Sequence, residues 1–180
     1  MIRLTKEERR KQILEAAKEV FIKKGYNGST TLEIAKSAEI SEVTLFRYFT
    51  SKQEIFLEVI EPILLKSLKE KIKIVKTWSP EKILEYILIE RINLVSKNNQ
   101  ILSLILKEKT LIKELGKDDL INKFWFLFKE LLIEVNFPKE TIEFNTRLLM
   151  GFLLSFLYKP EYKKDKIEIY VKQIINLMIK

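Results

Sequence analysis

The chain has 180 residues, 47% of them hydrophobic and 32% charged, with a formal net charge of +8. It contains no Cys and no His, which excludes disulfides, Cys-based zinc sites, thiol nucleophiles and the commonest neutral-pH acid/base group. Four Gly and four Pro are too few for the many turns of a β-rich fold; long segments of Leu, Ile, Lys and Glu predict an all-α protein.

Thr5 and Glu8 make a Thr-x-x-Glu capping box, which opens a helix running to about Lys24. Ile13, Ala17, Val20 and Phe21 recur on one face of it, and Gly25 stops it. After the loop GYNGS, Thr30 and Glu33 repeat the capping box, and a short helix presents Ile34, Ala35 and Ala38 inward. The direction then changes between Ala38 and Ser41 with no glycine. Ser41 caps a helix of about two turns carrying Val43 to Tyr48, and Ser51 with Glu54 opens a long helix to about Lys76. Three short helices with tight connections form a helix-turn-helix unit. Its expected core is Ile13, Ala17, Val20, Phe21, Ile34, Ala35, Ala38, Ile40, Leu45 and Phe49.

Further helices are expected at about 80–97, 99–113, 118–135, 138–157 and 165–179, for about nine in all. Ser79-Pro80 is a cap with Pro at the first helical position. Asn98-Asn99, Gly116, Pro138 and Pro160 punctuate the rest. The domain division expected is 1–52 for a helix-turn-helix domain and 53–180 for a larger helical one.

The positive charge is uneven. Residues 1–52 hold 11 Lys and Arg against 7 Asp and Glu, so the N-terminal third is the more basic part per residue. That balance suits a polyanion partner, although a plain solvated surface has about even weight on charge alone. MIRLTKEERR lacks the apolar core of a signal peptide, and the uncharged run at 148–158 falls short of the roughly 20 residues of a spanning helix. The expectation is a soluble, cytoplasmic protein with no membrane partner.

The stretch GYNGSTTLEIAKSAEISEVTLFRYFTSKQE resembles the TetR family of bacterial transcriptional regulators. The resemblance is carried by Gly25-Tyr26, Thr30-Thr31, Ile34-Ala35, Ile40-Ser41, Thr44-Leu45, Tyr48-Phe49 and Ser51-Lys52, and covers about residues 8–60. Three positions depart from the family pattern. Glu39 stands where the turn usually has Gly, Val43 where Gly often precedes the Thr, and Phe46 where the first aromatic is often Tyr.

The resemblance implies a DNA-binding regulator. In a helix-turn-helix the second helix enters the major groove; phosphate contacts set register and base contacts set sequence. The resemblance places Thr44, Tyr48 and Lys52 against phosphates, while the helix starting at Thr31 offers backbone N–H groups to another. Arg47 suits guanine or a phosphate, Val43 a thymine methyl, and Glu42 the N4 amine of cytosine. Phe46 has no hydroxyl to give a phosphate. Thr31, Ser41 and Ser51 also read as helix caps, and Tyr48 as a packing aromatic. Lys6, Arg9 and Arg10 supply either a polar face or a phosphate contact.

The resemblance also implies a homodimer on a palindromic operator, built on the last two long helices, with half-sites about 34–36 Å apart or a multiple of it. Interface candidates are Leu149, Phe152, Leu153, Phe156, Val171, Ile174, Ile175 and Met178. It implies a small-molecule effector pocket among the middle helices, for which aromatic content nominates Trp78, Tyr86, Phe124, Trp125, Phe128 and Phe152. Effector binding would release the repressor by shifting the spacing of its two reading heads. No cofactor and no metal is expected. A rival reading is a helical protein-interaction module whose helix-turn-helix no longer reads DNA. A helical enzyme using Glu85, Glu90 or Glu108 lacks any recognisable catalytic constellation, so the expectation is no enzyme.

Overall fold

The computed structural model describes residues 4–66, 78–107 and 119–179. Among them are nine α-helices and no strand: α1 (Lys6–Lys24), α2 (Thr31–Ser37), α3 (Glu42–Phe46), α4 (Lys52–Glu61), α5 (Pro80–Lys97), α6 (Asn99–Lys107), α7 (Asp119–Glu134), α8 (Ile142–Tyr158) and α9 (Lys164–Ile179). A π-helical turn, Pro62–Lys66, continues α4. The expected extension of that helix to Lys76, the segment 108–113, Glu108 and Gly116 lie outside the described residues. The described residues fall into two compact units: 4–62 with 103–107, and 63–66 with 78–102 and 119–179.

In the first unit α1 packs on α2 and α4, and α2 packs on α3. Two full capping boxes hold it together locally. Thr5 and Glu8 exchange side-chain and backbone bonds at the start of α1, and Thr30 and Glu33 do the same at α2. At α4, Ser51 accepts the Glu54 N–H at 3.1 Å, but the Glu54 carboxylate bonds Thr50 instead of returning to Ser51. The Lys24 hydrogen bond, first among several, holds the Glu33 carboxyl below its ordinary value of 4.5; Thr50 does so for Glu54. Because both values are depressed, the stability these bonds add is present at neutral pH. It is lost as pH falls below the ordinary value toward the lower folded one.

Eight of the ten expected core residues are buried, while Val20 and Ile40 are only half-buried. Tyr26 joins them from the GYNGS loop, as do Ile55, Phe56, Val59 and Ile60 from α4. Phe21, Tyr26 and Phe56 form an aromatic triad, with ring centroids 5.1 to 5.8 Å apart. Gly25 has φ 74° and ψ 171°, a conformation open essentially to glycine alone.

The turn between α2 and α3 is a Schellman motif. The Ile40 N–H reaches the Ala35 carbonyl at 3.0 Å, and the Glu39 N–H reaches Lys36 at 3.1 Å. Glu39 therefore takes the left-handed position, at φ 53°, which glycine usually fills. Left-handed backbone costs a residue with a Cβ about 1–2 kcal/mol, and glycine gives back about 0.5–1 kcal/mol in unfolded-state entropy. Glu39→Gly is expected to stabilise the first unit by about 0.5–1 kcal/mol, read as a raised thermal midpoint in circular dichroism.

In the second unit α5 packs on α8 and α9, and α7 packs on α8. Ser79 caps α5 ahead of Pro80, as the sequence predicts. α7 ends in a second Schellman motif, with Asn136 left-handed at φ 59° and the Phe137 N–H on the Leu132 carbonyl at 3.0 Å. α8 starts at Ile142, later than expected, because Thr141 turns back to bond the Pro138 carbonyl at 3.0 Å. Arg91 of α5 is 1% exposed. Its guanidinium bonds the Glu90 carboxylate at 2.8 and 2.9 Å and the Leu64 carbonyl at 3.1 Å.

Candidate nucleic-acid interface

The second helix of the motif, α3, is only five residues long, and its orientation rests on contacts at both ends. At its start Ser41 accepts the Thr44 N–H at 3.1 Å, and the Ser41 and Thr44 hydroxyls bond each other at 2.8 Å. The Thr31 hydroxyl, at the start of α2, donates to the Glu42 carboxylate at 2.6 Å. This bond ties the two helices of the motif together and occupies the group expected to face cytosine. Leu45 is fully buried, which turns Val43 and Phe46 outward. α3 ends at Phe46, two residues earlier than expected; Arg47 caps it, and the Tyr48 N–H closes a tighter turn onto the Leu45 carbonyl at 2.9 Å.

The far end of α3 is held by Arg10 of α1, a residue to which the sequence assigns no packing role. Its guanidinium pairs with Glu58 of α4, donates to the Tyr48 carbonyl at 2.8 Å and stacks 4.3 Å from the Phe49 ring centroid. Arg9 donates to Gln12 at 2.8 Å. Neither the pairing with Glu58, 48 positions away in sequence, nor the carbonyl contact leaves a local sequence signal.

Lys52 has a defined place. Its ammonium donates to the Tyr26 carbonyl at 2.7 Å and the Ser29 carbonyl at 3.0 Å, and lies 4.4 Å from the Tyr26 ring centroid. Two of its three N–H bonds thus close the GYNGS loop. Lys52→Met is expected to weaken the first unit by about 1–2 kcal/mol through the two charge-assisted hydrogen bonds lost, although the Tyr26 carbonyl keeps the Ser29 hydroxyl at 2.7 Å. In DNA titrations across salt concentrations its slope should match the unaltered protein. A loss of about 0.9 in the slope would instead show a neutralised phosphate.

Arg47 and Lys36 are exposed and have no partner among the described residues, nor does the half-buried Tyr48 hydroxyl. The surface around α3 therefore offers two unpaired cations, one free hydroxyl and two outward apolar side chains. Thr31, Ser41, Glu42 and Thr44 spend their side-chain polar atoms on one another.

Residues 13–59 match the sequence model of the family described as bacterial regulatory proteins, tetR family. Over these residues the chain is similar to that family. The HTH-type transcriptional regulator QacR of Staphylococcus aureus is 49% identical over 49 residues, which is 27% of this chain and 26% of that protein. The HTH-type transcriptional activator FasR of Mycolicibacterium smegmatis is 44% identical over 59 residues, 33% of this chain and 27% of that protein. The chain thus matches about a quarter of the length of these curated relatives. Likeness of fold extends further. NalD, the secondary repressor of the MexAB-OprM multidrug efflux pump in Pseudomonas aeruginosa, aligns with a TM-score of 0.73 at 21% identity, over 94% of this chain and 96% of that one.

Two of the residues nominated for an effector pocket line one cleft among the described residues. Trp78 and Tyr86 meet edge-to-face at 5.6 Å and line an open cleft of about 550 Å³ with Ser79, Lys82, Glu85 and Ile89. Phe124 and Phe128 pack together within the second unit's core. Trp125 lies under Arg147, and Phe152 packs on Phe156.

The residues nominated for a dimer interface mostly face the protomer's own core. Leu149, Leu153, Phe156, Val171, Ile174, Ile175 and Met178 are buried in the single chain, and Phe152 is half-buried. The outward side of α8 carries Phe144, Gly151, Leu154 and Tyr158, and that of α9 carries Ile169, Tyr170 and Leu177. Among the described residues, no helix is long and apolar enough to cross a membrane.

Proposed function

We propose that the chain is a DNA-binding transcriptional regulator, a repressor that sits on a palindromic operator as a homodimer in the cytoplasm and leaves it when a small molecule binds the second unit. The observation that carries this reading is the match over residues 13–59 to a regulatory family, on a helix-turn-helix whose outward face keeps Val43, Phe46 and Arg47 unengaged. Phosphate contacts are assigned to Arg47 and Tyr48, the groups with donors to spare.

Dimerisation is supported by the apolar outward faces of α8 and α9. Phe144, Gly151, Leu154 and Tyr158 recur at spacings of 7, 3 and 4 residues, as a helix-packing stripe requires. A dimer is expected in light scattering at micromolar concentration, and a monomer there counts against the operator symmetry. The effector reading is supported by the cleft beside Trp78 and Tyr86, which suits an apolar or aromatic compound.

The test is titration of the purified protein against its own upstream DNA and against random duplex, at two salt concentrations. Preference for the upstream fragment, with affinity falling steeply as salt rises, is the expected result, because phosphate neutralisation releases counterions. Salt-insensitive or absent binding, both to this fragment and to genomic fragments offered for selection, would favour the protein-interaction module instead.

A further inference from the structure

The outward face of α3 carries an unusual chemical balance for a helix that meets DNA. Val43 is 69% exposed and Phe46 49% exposed, and three residues apart they share one side of the helix. The polar groups that read base edges are committed elsewhere. Glu42 takes the Thr31 hydroxyl, and Ser41 and Thr44 hold each other. Among the described residues, Arg47 and the Tyr48 hydroxyl, just past the helix end, keep free donors there. The unpaired Lys36 and Arg47 give this apolar face a cationic setting that complements phosphate, so its occupant is DNA and not an apolar protein surface.

Within the major groove, the apolar feature a base edge offers is the C5 methyl of thymine. We propose that Val43 and Phe46 read thymine methyl groups, so that each operator half-site is specified at its centre by thymines through apolar contact, with few base-edge hydrogen bonds. This rests on the DNA-binding reading and names what that site recognises. Seating on methyls removes both side chains from water, and no hydrogen-bond geometry constrains them. The expected consequence is tolerance of either strand's thymine where the methyl falls in the same place.

Deoxyuridine removes the methyl and leaves the pairing edge intact. A preferred duplex is first selected from random sequence with the full-length protein, and each thymine is then replaced singly by dU. At one or two positions per half-site the dissociation constant should rise about fourfold, the equivalent of one lost methyl contact. Val43→Ala should abolish the penalty at one of these positions, and Phe46→Ala at another. Both side chains are exposed, so the variants should keep the helical circular dichroism of the parent. Binding that is sequence-selective yet indifferent to dU at every position overturns this proposal alone, as do penalties unchanged in both variants. Failure to select any sequence overturns the DNA-binding reading and this proposal with it.

Discussion

Phe56→Ala should unfold the first unit under conditions where the second keeps its helices. Phe56 is fully buried, and its ring meets Phe21 and Tyr26 edge-on at 5.1 Å each. Truncating a buried Phe costs about 3–5 kcal/mol, from lost transfer energy and the cavity left behind. A unit of this size has a total stability of roughly 3–9 kcal/mol, so the loss takes from about a third of it to all of it. The triad also seats the Tyr26 backbone, whose carbonyl accepts from Lys52. Operator binding should therefore vanish on warming well before the helical signal of the whole chain does. Chemical denaturation should show an early transition that the parent lacks. A single transition with parental DNA affinity would mean that α4 contributes little to holding the reading helix.

Arg91→Met should destabilise the second unit by about 2–4 kcal/mol. The guanidinium is almost wholly buried, and it satisfies Glu90 together with carbonyls of the π-helical turn. Removing it takes the guanidinium away from the Glu90 carboxylate and the Leu64 carbonyl. The figure sits below the usual cost of breaking a fully buried pair because the Glu90 side chain is 23% exposed, so water partly screens its charge. Adding Glu90→Gln should recover part of the loss, since the charge then goes with its partner. Amide exchange at residues 63–66 should accelerate in the single variant, and denaturant midpoints of both variants give the magnitudes. No recovery in the double variant would place the main role of Arg91 at the Leu64 carbonyl.

Much of the first unit is legible in the sequence because its signals are local. Thr5 with Glu8 and Thr30 with Glu33 declare helix starts within four residues, and the structure contains both boxes. The resemblance marks Glu39 as standing where the turn usually has Gly, and in the structure Glu39 is left-handed. What stays hidden is set by long-range packing. Glu54 prefers Thr50 to Ser51, Lys52 turns to a loop more than twenty positions upstream, and Arg10 finds Glu58 across the unit. α4 also lends Ile55 and Phe56 to the core of the reading unit, which a boundary placed at residue 52 does not anticipate. In the second unit the difficulty is different. α8 is apolar nearly all round, so its sequence does not say which face meets the protomer and which faces out. Leu149 and Leu153 turn inward while Gly151 and Leu154 turn outward, a distinction of one helical face. Aromatic residues likewise mark core and cleft without separating them. Phe128 is fully buried, whereas Trp78 is exposed.

The left-handed Glu39 has a meaning for the gene as well as for the fold. Codons for glutamate become codons for glycine by one transition at the second base, so relief of this strain lies a single nucleotide change away. A lineage that drifts through that change gains stability without touching α3. The gain could then absorb the damage of trials at Val43, Phe46 or Arg47, as new operator sequences are sampled.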